Sequence, residues 1–277
     1  MANIYYIDGQ FLPADQAVIP VDDLAVVRGI GAFDLVRIRN GRPLFLNEHI
    51  ERLYRSAAKI GLDMIWSRER IRRVVLETLS RNTVGEANIR IIVTGGSSPD
   101  FITPKGNPRL LVLVTPLPAQ PYWWRTKGVK VITLNVQRSF PGAKSIDYLP
   151  AAIALRRARS VDAIEAIYLD DQDNAQEGTT SNLFIVSGGT LVTPGRDVLS
   201  GITRRTVLDI AKAHYPVEIR DLPKGELLAA QEVFITGTNK GLVPVVQVDD
   251  QVIGSGRPGP VTRDLIRLLD QYDASPK

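Results

Sequence analysis

Three prolines in seven residues, Thr115-Pro-Leu-Pro-Ala-Gln-Pro121, interrupt this chain before its midpoint. Proline fixes φ and lacks an N–H, so such a run is stiff, extended and unsuited to a helix interior or a central strand. The stretch predicts a boundary, with a small N-terminal domain over 1–115, a linker over 116–121 and a larger domain over 122–277. The chain has 277 residues, so each part is long enough to bury a core of its own.

Turn and periodicity signals fill in both parts. Asp8-Gly9 and Asn40-Gly41 sit between apolar-rich runs and predict two hairpins. Asn47 reads as an N-cap, with Glu48 and Glu51 in the first turn and Ile50, Leu53, Ala57 and Ile60 at helical spacing before Gly61. Ser67 predicts a second helix to about Arg81, and Arg68, Arg70, Arg72 and Arg73 read as its solvated face. Strands are expected over 87–94 and 110–115. Beyond the linker, strands over 129–135, 166–170, 183–187, 190–193 and 232–236 mix with helices near 147–159, 203–214 and 262–272. The fold class is therefore α+β or α/β in two domains.

Composition narrows the chemistry. There is no cysteine, which excludes disulfides, thiolate nucleophiles and cysteine metal sites. With two histidines in all, His49 and His214, no metal centre is expected. Lys and Arg outnumber Asp and Glu by 34 to 30, and the basic residues are scattered, so nucleic acid is not an expected partner. No apolar run approaches the ~18 residues of a membrane span. The opening Met-Ala-Asn-Ile-Tyr-Tyr lacks the basic and apolar regions of a signal peptide, so a cytoplasmic location is expected.

Chemistry must then rest on other side chains or on a cofactor. Lys144, in Pro141-Gly-Ala-Lys-Ser-Ile-Asp-Tyr148, reads either as a solvated lysine or as an amine nucleophile held at a cavity floor. Glu177, in Glu-Gly-Thr-Thr-Ser-Asn182, is either part of an ordinary polar turn or a carboxylate facing a ligand. Ser200-Gly-Ile-Thr203 opens a helix whose free N–H groups could cap it or bind phosphate. Thr236-Gly-Thr-Asn239 is a second donor-rich turn. Together these are the parts a phosphorylated aldehyde cofactor needs: a phosphate grip, an amine for the carbonyl and a carboxylate for the ring nitrogen.

Five stretches, in order, resemble the fold-type IV pyridoxal-phosphate enzymes, a group that includes D-amino acid transaminases, branched-chain transaminases, (R)-amine transaminases and aminodeoxychorismate lyases. They are His49-Ile-Glu-Arg-Leu53 with Ser56-Ala57, Lys144, Glu177-Gly-Thr-Thr-Ser-Asn-Leu-Phe184, Leu199-Ser-Gly-Ile-Thr-Arg204 and Phe234-Ile-Thr-Gly-Thr238. The resemblance implies pyridoxal 5′-phosphate as cofactor and Lys144 as the Schiff-base lysine that also shuttles the proton. It implies that Glu177 pairs with the pyridine nitrogen and that Leu199 packs on the ring. Arg52 would grip the phosphate, helped by the amides of Ile202 and Thr203 and by Thr238 with Asn239. Read without the resemblance, Arg52 is a surface residue four positions after Glu48.

The resemblance also implies a homodimer with each site near the subunit interface. D-amino acid transaminases carry an arginine in a Val-Thr-Arg-Gly type segment, whereas this chain has Val93-Thr-Gly-Gly96. Arg90, on the strand face opposite Ile89, Ile91 and Val93, and Arg28, just before Gly31-Ala-Phe-Asp34, are the replacements expected to bind the α-carboxylate. The Gly-Gly-Asn-Tyr of branched-chain transaminases is absent after the lysine, where Ser145-Ile-Asp-Tyr148 stands. The expected activity is ping-pong transamination from a D-amino acid to a 2-oxo acid, 2-oxoglutarate or pyruvate, with side activity on (R)-amines left open. The alternatives are a branched-chain L-amino acid transaminase, an aminodeoxychorismate lyase and a non-catalytic protein that binds the cofactor.

Overall fold

The computed structural model describes residues 3–274. They form two compact units: one runs through Pro118 and takes back Gly142–Tyr148, and the other comprises Ala119–Pro141 and the chain from Leu149 onward. The stretch around Lys144, which the proline run assigns to the second part, thus packs with the first. Its backbone bonds give the reason. Lys144 N–H donates to Ser56 Oγ at 3.0 Å. Phe33 N–H donates to Lys144 O at 2.9 Å and Ile146 N–H to Gly31 O at 3.0 Å.

The first unit contains β1 (Ile4–Ile7), β2 (Gln10–Pro13), α1 (Leu24–Arg28), β3 (Gly31–Arg39), β4 (Arg42–Pro43), α2 (Leu46–Lys59), α3 (Arg68–Ser80), β5 (Ala87–Thr94) and β6 (Leu110–Pro116). Its strands make one antiparallel sheet in the order β2-β1-β6-β5-β3-β4. Asn40 and Gly41 both take left-handed backbone (φ 49° and 71°), as a two-residue hairpin loop with the right twist requires. Alternation along β5 buries Ile89, Ile91 and Val93 in the same core as Ile50, Leu53, Ile71 and Val75 of the two helices. Arg90 and Ile92 are half-buried on the other face.

The helix expected to be capped by Asn47 instead begins at Leu46. Phe45 turns the chain through left-handed backbone at φ 53°, and no side chain caps the helix. The second helix is capped as its sequence predicts, with Ser67 Oγ accepting from Arg70 N–H at 3.1 Å, and Arg68, Arg70, Arg72 and Arg73 are all exposed.

The second unit runs α4 (Trp123–Lys127), β7 (Val129–Asn135), α5 (Leu149–Arg159), β8 (Glu165–Leu169), β9 (Ala175–Gly178), β10 (Asn182–Ser187), β11 (Thr190–Pro194), α6 (Ile202–Ala211), β12 (Val217–Arg220), α7 (Lys224–Ala229), β13 (Glu232–Gly237), β14 (Gly241–Val248), β15 (Gln251–Val252) and α8 (Pro260–Ala274). The sheet order is β12-β11-β10-β13-β14-β7-β8-β9, with β15 on β14, and β9 also pairs with β10. That last pairing closes the sheet on itself and sets Glu177 opposite Asn182. Alternating residues of β10 then face two cores. Leu183 and Ile185 join Val131, Ile167, Ile235 and Val243, whereas Phe184 stacks on Phe234 at 4.9 Å beneath residues of α6 and α8. β-Branched and aromatic side chains dominate both faces because neither is open to water.

Candidate functional site

In the first unit, helical spacing places His49, Arg52 and Ser56 along one side of α2. They meet Asp34 of β3, which is 0% exposed. The Asp34 carboxylate accepts Arg52 Nε at 2.9 Å and Nη2 at 2.7 Å, and its Oδ1 lies 2.6 Å from His49 Nδ1. Arg52 is therefore not a surface residue but one 4% exposed, held in a two-pronged fork. Burial alone would raise the Asp34 carboxyl, yet the Arg52 and His49 charges hold it well below the usual carboxylate range. Burial pushes the His49 imidazole down, against the attraction of Asp34.

One turn further along α2, Ser56 takes the backbone N–H of Lys144. The Lys144 ammonium nitrogen lies 4.7 Å from the centre of the Phe33 ring, and the Arg90 guanidinium carbon lies 5.1 Å from the same centre. Tyr148 meets that ring edge-on at 5.5 Å. Strand register explains the grouping, since Phe33 pairs with Ile92 and the neighbouring Leu35 pairs with Arg90. Arg28 is not brought to this face. It is exposed at the end of α1, and its Nη1 donates to the carbonyl of Val27 at 2.8 Å.

In the second unit, Glu177 is 4% exposed and well supplied with donors. Oε2 accepts the Leu199 N–H at 2.8 Å and Asn182 Nδ2 at 3.2 Å, while Oε1 accepts Arg138 Nη1 at 2.5 Å. Asn182 Nδ2 also donates to Leu199 O at 2.9 Å, so the carboxylate, the amide and the Leu199 backbone form one cluster. Ile202 and Thr203 open α6, where amides have no intrahelical acceptor, and the N-cap Gly201 supplies no side-chain cap. A Cβ on Gly201 would land on Asn182 Oδ1. Only glycine lets the chain pass there.

Arg204, in the same first turn, donates to Thr193 Oγ1 at 3.1 Å and Pro194 O at 2.8 Å. Burial lowers its guanidinium and the charge of Glu177 opposes that shift. Thr238 and Asn239 form the turn between β13 and β14. Beside it, Thr236 Oγ1 and Asn239 Oδ1 are buried with no protein partner.

Sequence reasoning missed three participants. Asp34 had a readable signal, a lone acid inside an apolar strand. Arg138 stands in the irregular Val136-Gln-Arg-Ser139 segment, where nothing in the spacing marks it. Glu165, 0% exposed, has the signal of an acid opening an apolar run. Arg138 also lines a cavity of about 320 Å³ with Asp170, Asn174, Arg196 and Asp221, whose lining is more acidic than basic. Arg196 Nε donates to Asp221 at 2.8 Å and Asp170 accepts the Asn174 N–H at 2.8 Å. None of the residues expected to hold a cofactor or substrate lines it. Among the described residues, no group of three or more acids and histidines is placed to hold a metal, and no helix is long and apolar enough to cross a membrane.

Comparison with known proteins places these features in a family. Residues 31–248 match the family model of amino-transferase class IV. A putative branched-chain-amino-acid aminotransferase of Methanocaldococcus jannaschii is 35% identical, over 94% of this chain and 93% of that protein. The D-alanine aminotransferase of Bacillus licheniformis is 32% identical, over 95% and 94%. Among solved structures, the Escherichia coli branched-chain amino acid aminotransferase superposes with a TM-score of 0.89 at 26% identity, covering 96% of this chain and 92% of that one. A second branched-chain amino acid aminotransferase, solved with pyridoxamine 5′-phosphate, superposes with a TM-score of 0.91 at 29% identity, over 98% and 94%. The fold is that of the fold-type IV aminotransferases. The chain belongs to the class IV aminotransferases, enzymes dependent on pyridoxal phosphate.

Proposed function

We propose that this enzyme moves the amino group of a D-amino acid to a 2-oxo acid, 2-oxoglutarate or pyruvate, with the α-carboxylate bound by Arg90 and Arg28. The observation that carries the carboxylate part of this reading is the Phe33 ring, against which both the Lys144 amine and the Arg90 guanidinium lie. An amino acid needs a basic amine at one end and a carboxylate grip at the other, and a planar guanidinium suits the second task. Arg28, exposed in its own chain, suits a residue that serves the site of a second copy, and the reading takes the enzyme as a cytoplasmic homodimer.

The donor set fits the cofactor. The open first turn of α6, the absence of a side chain at Gly201 and the orphaned Thr236 hydroxyl leave donors for a phosphate. When bound, pyridoxal phosphate supplies an aldehyde for the amine and a ring that accepts the electron pair released at Cα. The protein does the rest. Arg52, the Ile202 and Thr203 amides, Thr238 and Asn239 would hold the phosphate, and Leu199 would pack against the ring.

Glu177, whose carboxyl takes donors from Arg138, Asn182 and the Leu199 N–H, would hold the proton on the pyridine nitrogen. Lys144 would be the amine that meets the cofactor's aldehyde and, once free, would carry the proton between the donor's Cα and the cofactor's C4′. The same residues would serve both half-reactions, which predicts ping-pong kinetics.

A second reading, branched-chain L-amino acid transamination, is favoured by the 35% identical Methanocaldococcus relative. The D reading rests on the D-alanine aminotransferase relatives and on Ser145-Ile-Asp-Tyr148 in place of Gly-Gly-Asn-Tyr. Absorption spectra separate them. D-Alanine or D-glutamate should bleach the visible band of the loaded enzyme, with the L forms inert. Bleaching by L-leucine or L-valine alone transfers the assignment to the second reading. Replacing Arg90 by Met should raise the KM for the amino donor about tenfold or more, as expected when a charge-assisted carboxylate contact is lost. An unchanged KM removes Arg90 from the site.

A further inference from the structure

We propose that Glu165 is a positioning residue of the cofactor site: its buried carboxylate holds the Thr179-Thr180-Ser181 bend, and through that bend fixes Glu177 and Asn182. The inference rests on the reading of Glu177 as the partner of the ring nitrogen. Glu165 opens β8 with 0% exposure. It accepts Thr179 Oγ1 at 2.9 Å, Thr180 Oγ1 at 2.7 Å, the Thr180 N–H, and Ser181 Oγ at 2.6 Å. Lys240 Nζ completes the set at 3.0 Å. Every residue of the bend thus donates to one carboxylate.

The bend has Glu177-Gly178 directly before it and Asn182 directly after it. Gly178 has no room for a side chain, since a Cβ would strike Ser181 Oγ and crowd the Glu165 carboxyl. The closure of the sheet depends on the same place, because Asn182 pairs with Glu177 across β9 and β10. Lys240 follows Thr238 and Asn239, so the carboxylate also ties the bend to the turn proposed to meet the phosphate. Lys240 bonds Thr180 Oγ1 as well.

A buried ion pair is a poor source of stability, since desolvation offsets most of the attraction. What five donors on a single acceptor provide is orientation. Burial opposes ionisation of Glu165, but Lys240 and the hydroxyls hold its carboxyl below the ordinary glutamate value. The group is an acceptor throughout the neutral range. A glutamine at 165 keeps the length of the side chain but leaves one acceptor oxygen, and its NH2 cannot accept the Thr180 N–H or the Lys240 ammonium, which can only donate.

The test uses the pyridoxal-phosphate-loaded enzyme with whichever amino donor bleaches it, so it does not depend on donor chirality. E165Q should move the pH titration of the cofactor's visible band in the same direction as E177Q. It should also lower kcat about tenfold, as losses of supporting hydrogen bonds around a reactive group do, with the donor's KM little changed. Adding K240M to E165Q should not restore the parent titration, because the bend's donors still face an amide.

Two results overturn the proposal: E165Q that keeps the parent titration and kcat and loses only thermal stability, or full recovery in E165Q/K240M, which would make Glu165 a counter-ion and nothing more. If E177Q leaves the titration unmoved, the reading of Glu177 fails and takes this inference with it. Should E165Q not fold, S181A removes one donor at 2.6 Å and should move the titration the same way to a smaller extent. An unshifted S181A then counts against the proposal.

Discussion

Replacing Asp34 by asparagine tests the buried cluster on which Arg52 depends. The carboxylate takes two bonds from Arg52 and one short contact from His49, and neither Asp34 nor Arg52 is appreciably exposed. An amide has a single acceptor oxygen. Its NH2 would face a guanidinium that can only donate, and the Arg52 charge would remain without its counter-ion. Breaking a buried pair from one side costs about 3–5 kcal/mol. For domains of this size that corresponds to a melting temperature lower by roughly 10 °C.

The assay is urea unfolding of D34N, R52M and the double variant, read as a cycle. D34N/R52M should be more stable than D34N, since no buried cation is left over, and D34N should also retain cofactor less well because the Arg52 fork is no longer held. A D34N midpoint equal to that of the parent would refute the reasoning. So would a second substitution at Arg52 that makes D34N worse by the full cost of R52M alone.

Three further outcomes follow from the same geometry. G201A should weaken cofactor binding by about tenfold or more, since φ at Gly201 is an ordinary −66° and the obstacle is Asn182 rather than the backbone; equilibrium dialysis against pyridoxal phosphate measures it, and an N182A/G201A double variant should not recover because Asn182 also bonds Glu177. Burial keeps His49 below its ordinary value of 6.5, so the unfolded chain binds a proton that the folded chain refuses. Its stabilising contribution is complete above about pH 6.5 and falls as the pH drops below it, and H49N should flatten that slope in urea titrations at stepped pH. The Asp34 carboxyl, held low, behaves in the same sense at more acid pH. Its contribution is complete above about pH 4 and is withdrawn as the pH falls toward its folded value, which acid unfolding of parent and D34N should show as a lost transition.

Much of the scaffold was legible because its signals are local. Asn40-Gly41 needs left-handed backbone at two successive residues and obtains it, and Ser67 caps its helix through its own side chain. The alternation around Arg90 identified both faces of β5 before any partner strand was known. Elements set by tertiary closure were harder to read. Phe45 starts α2 in left-handed backbone with no capping side chain, a conformation that phenylalanine does not advertise. Gly142–Tyr148 joins the first unit through backbone bonds to β3 and Ser56, which no composition change foretells.

The site shows the same division. Lys144 and Glu177 stand in stretches whose resemblance to the family is visible residue by residue. The groups bonded to the candidate residues, Asp34 to Arg52, Arg138 to Glu177 and Glu165 to the bend, are brought in from 14 to 39 positions away. Hydrogen-bond partners at that separation leave no periodic trace, and only the lone acids in apolar strands hint at them. Arg28 and Arg90 illustrate the converse: the sequence nominated both, yet Arg90 lies on the Phe33 ring with Lys144 and Arg28 does not reach it.

Lys144 carries the central assignment. Enzyme loaded with pyridoxal phosphate, treated with borohydride, digested and mapped by mass spectrometry should carry the pyridoxyl label on the peptide containing Lys144, with K144A unlabelled and unable to transaminate. Label on another lysine, with Lys144 unmodified and K144A still active, would contradict the assignment of the reactive amine and with it the proposed mechanism.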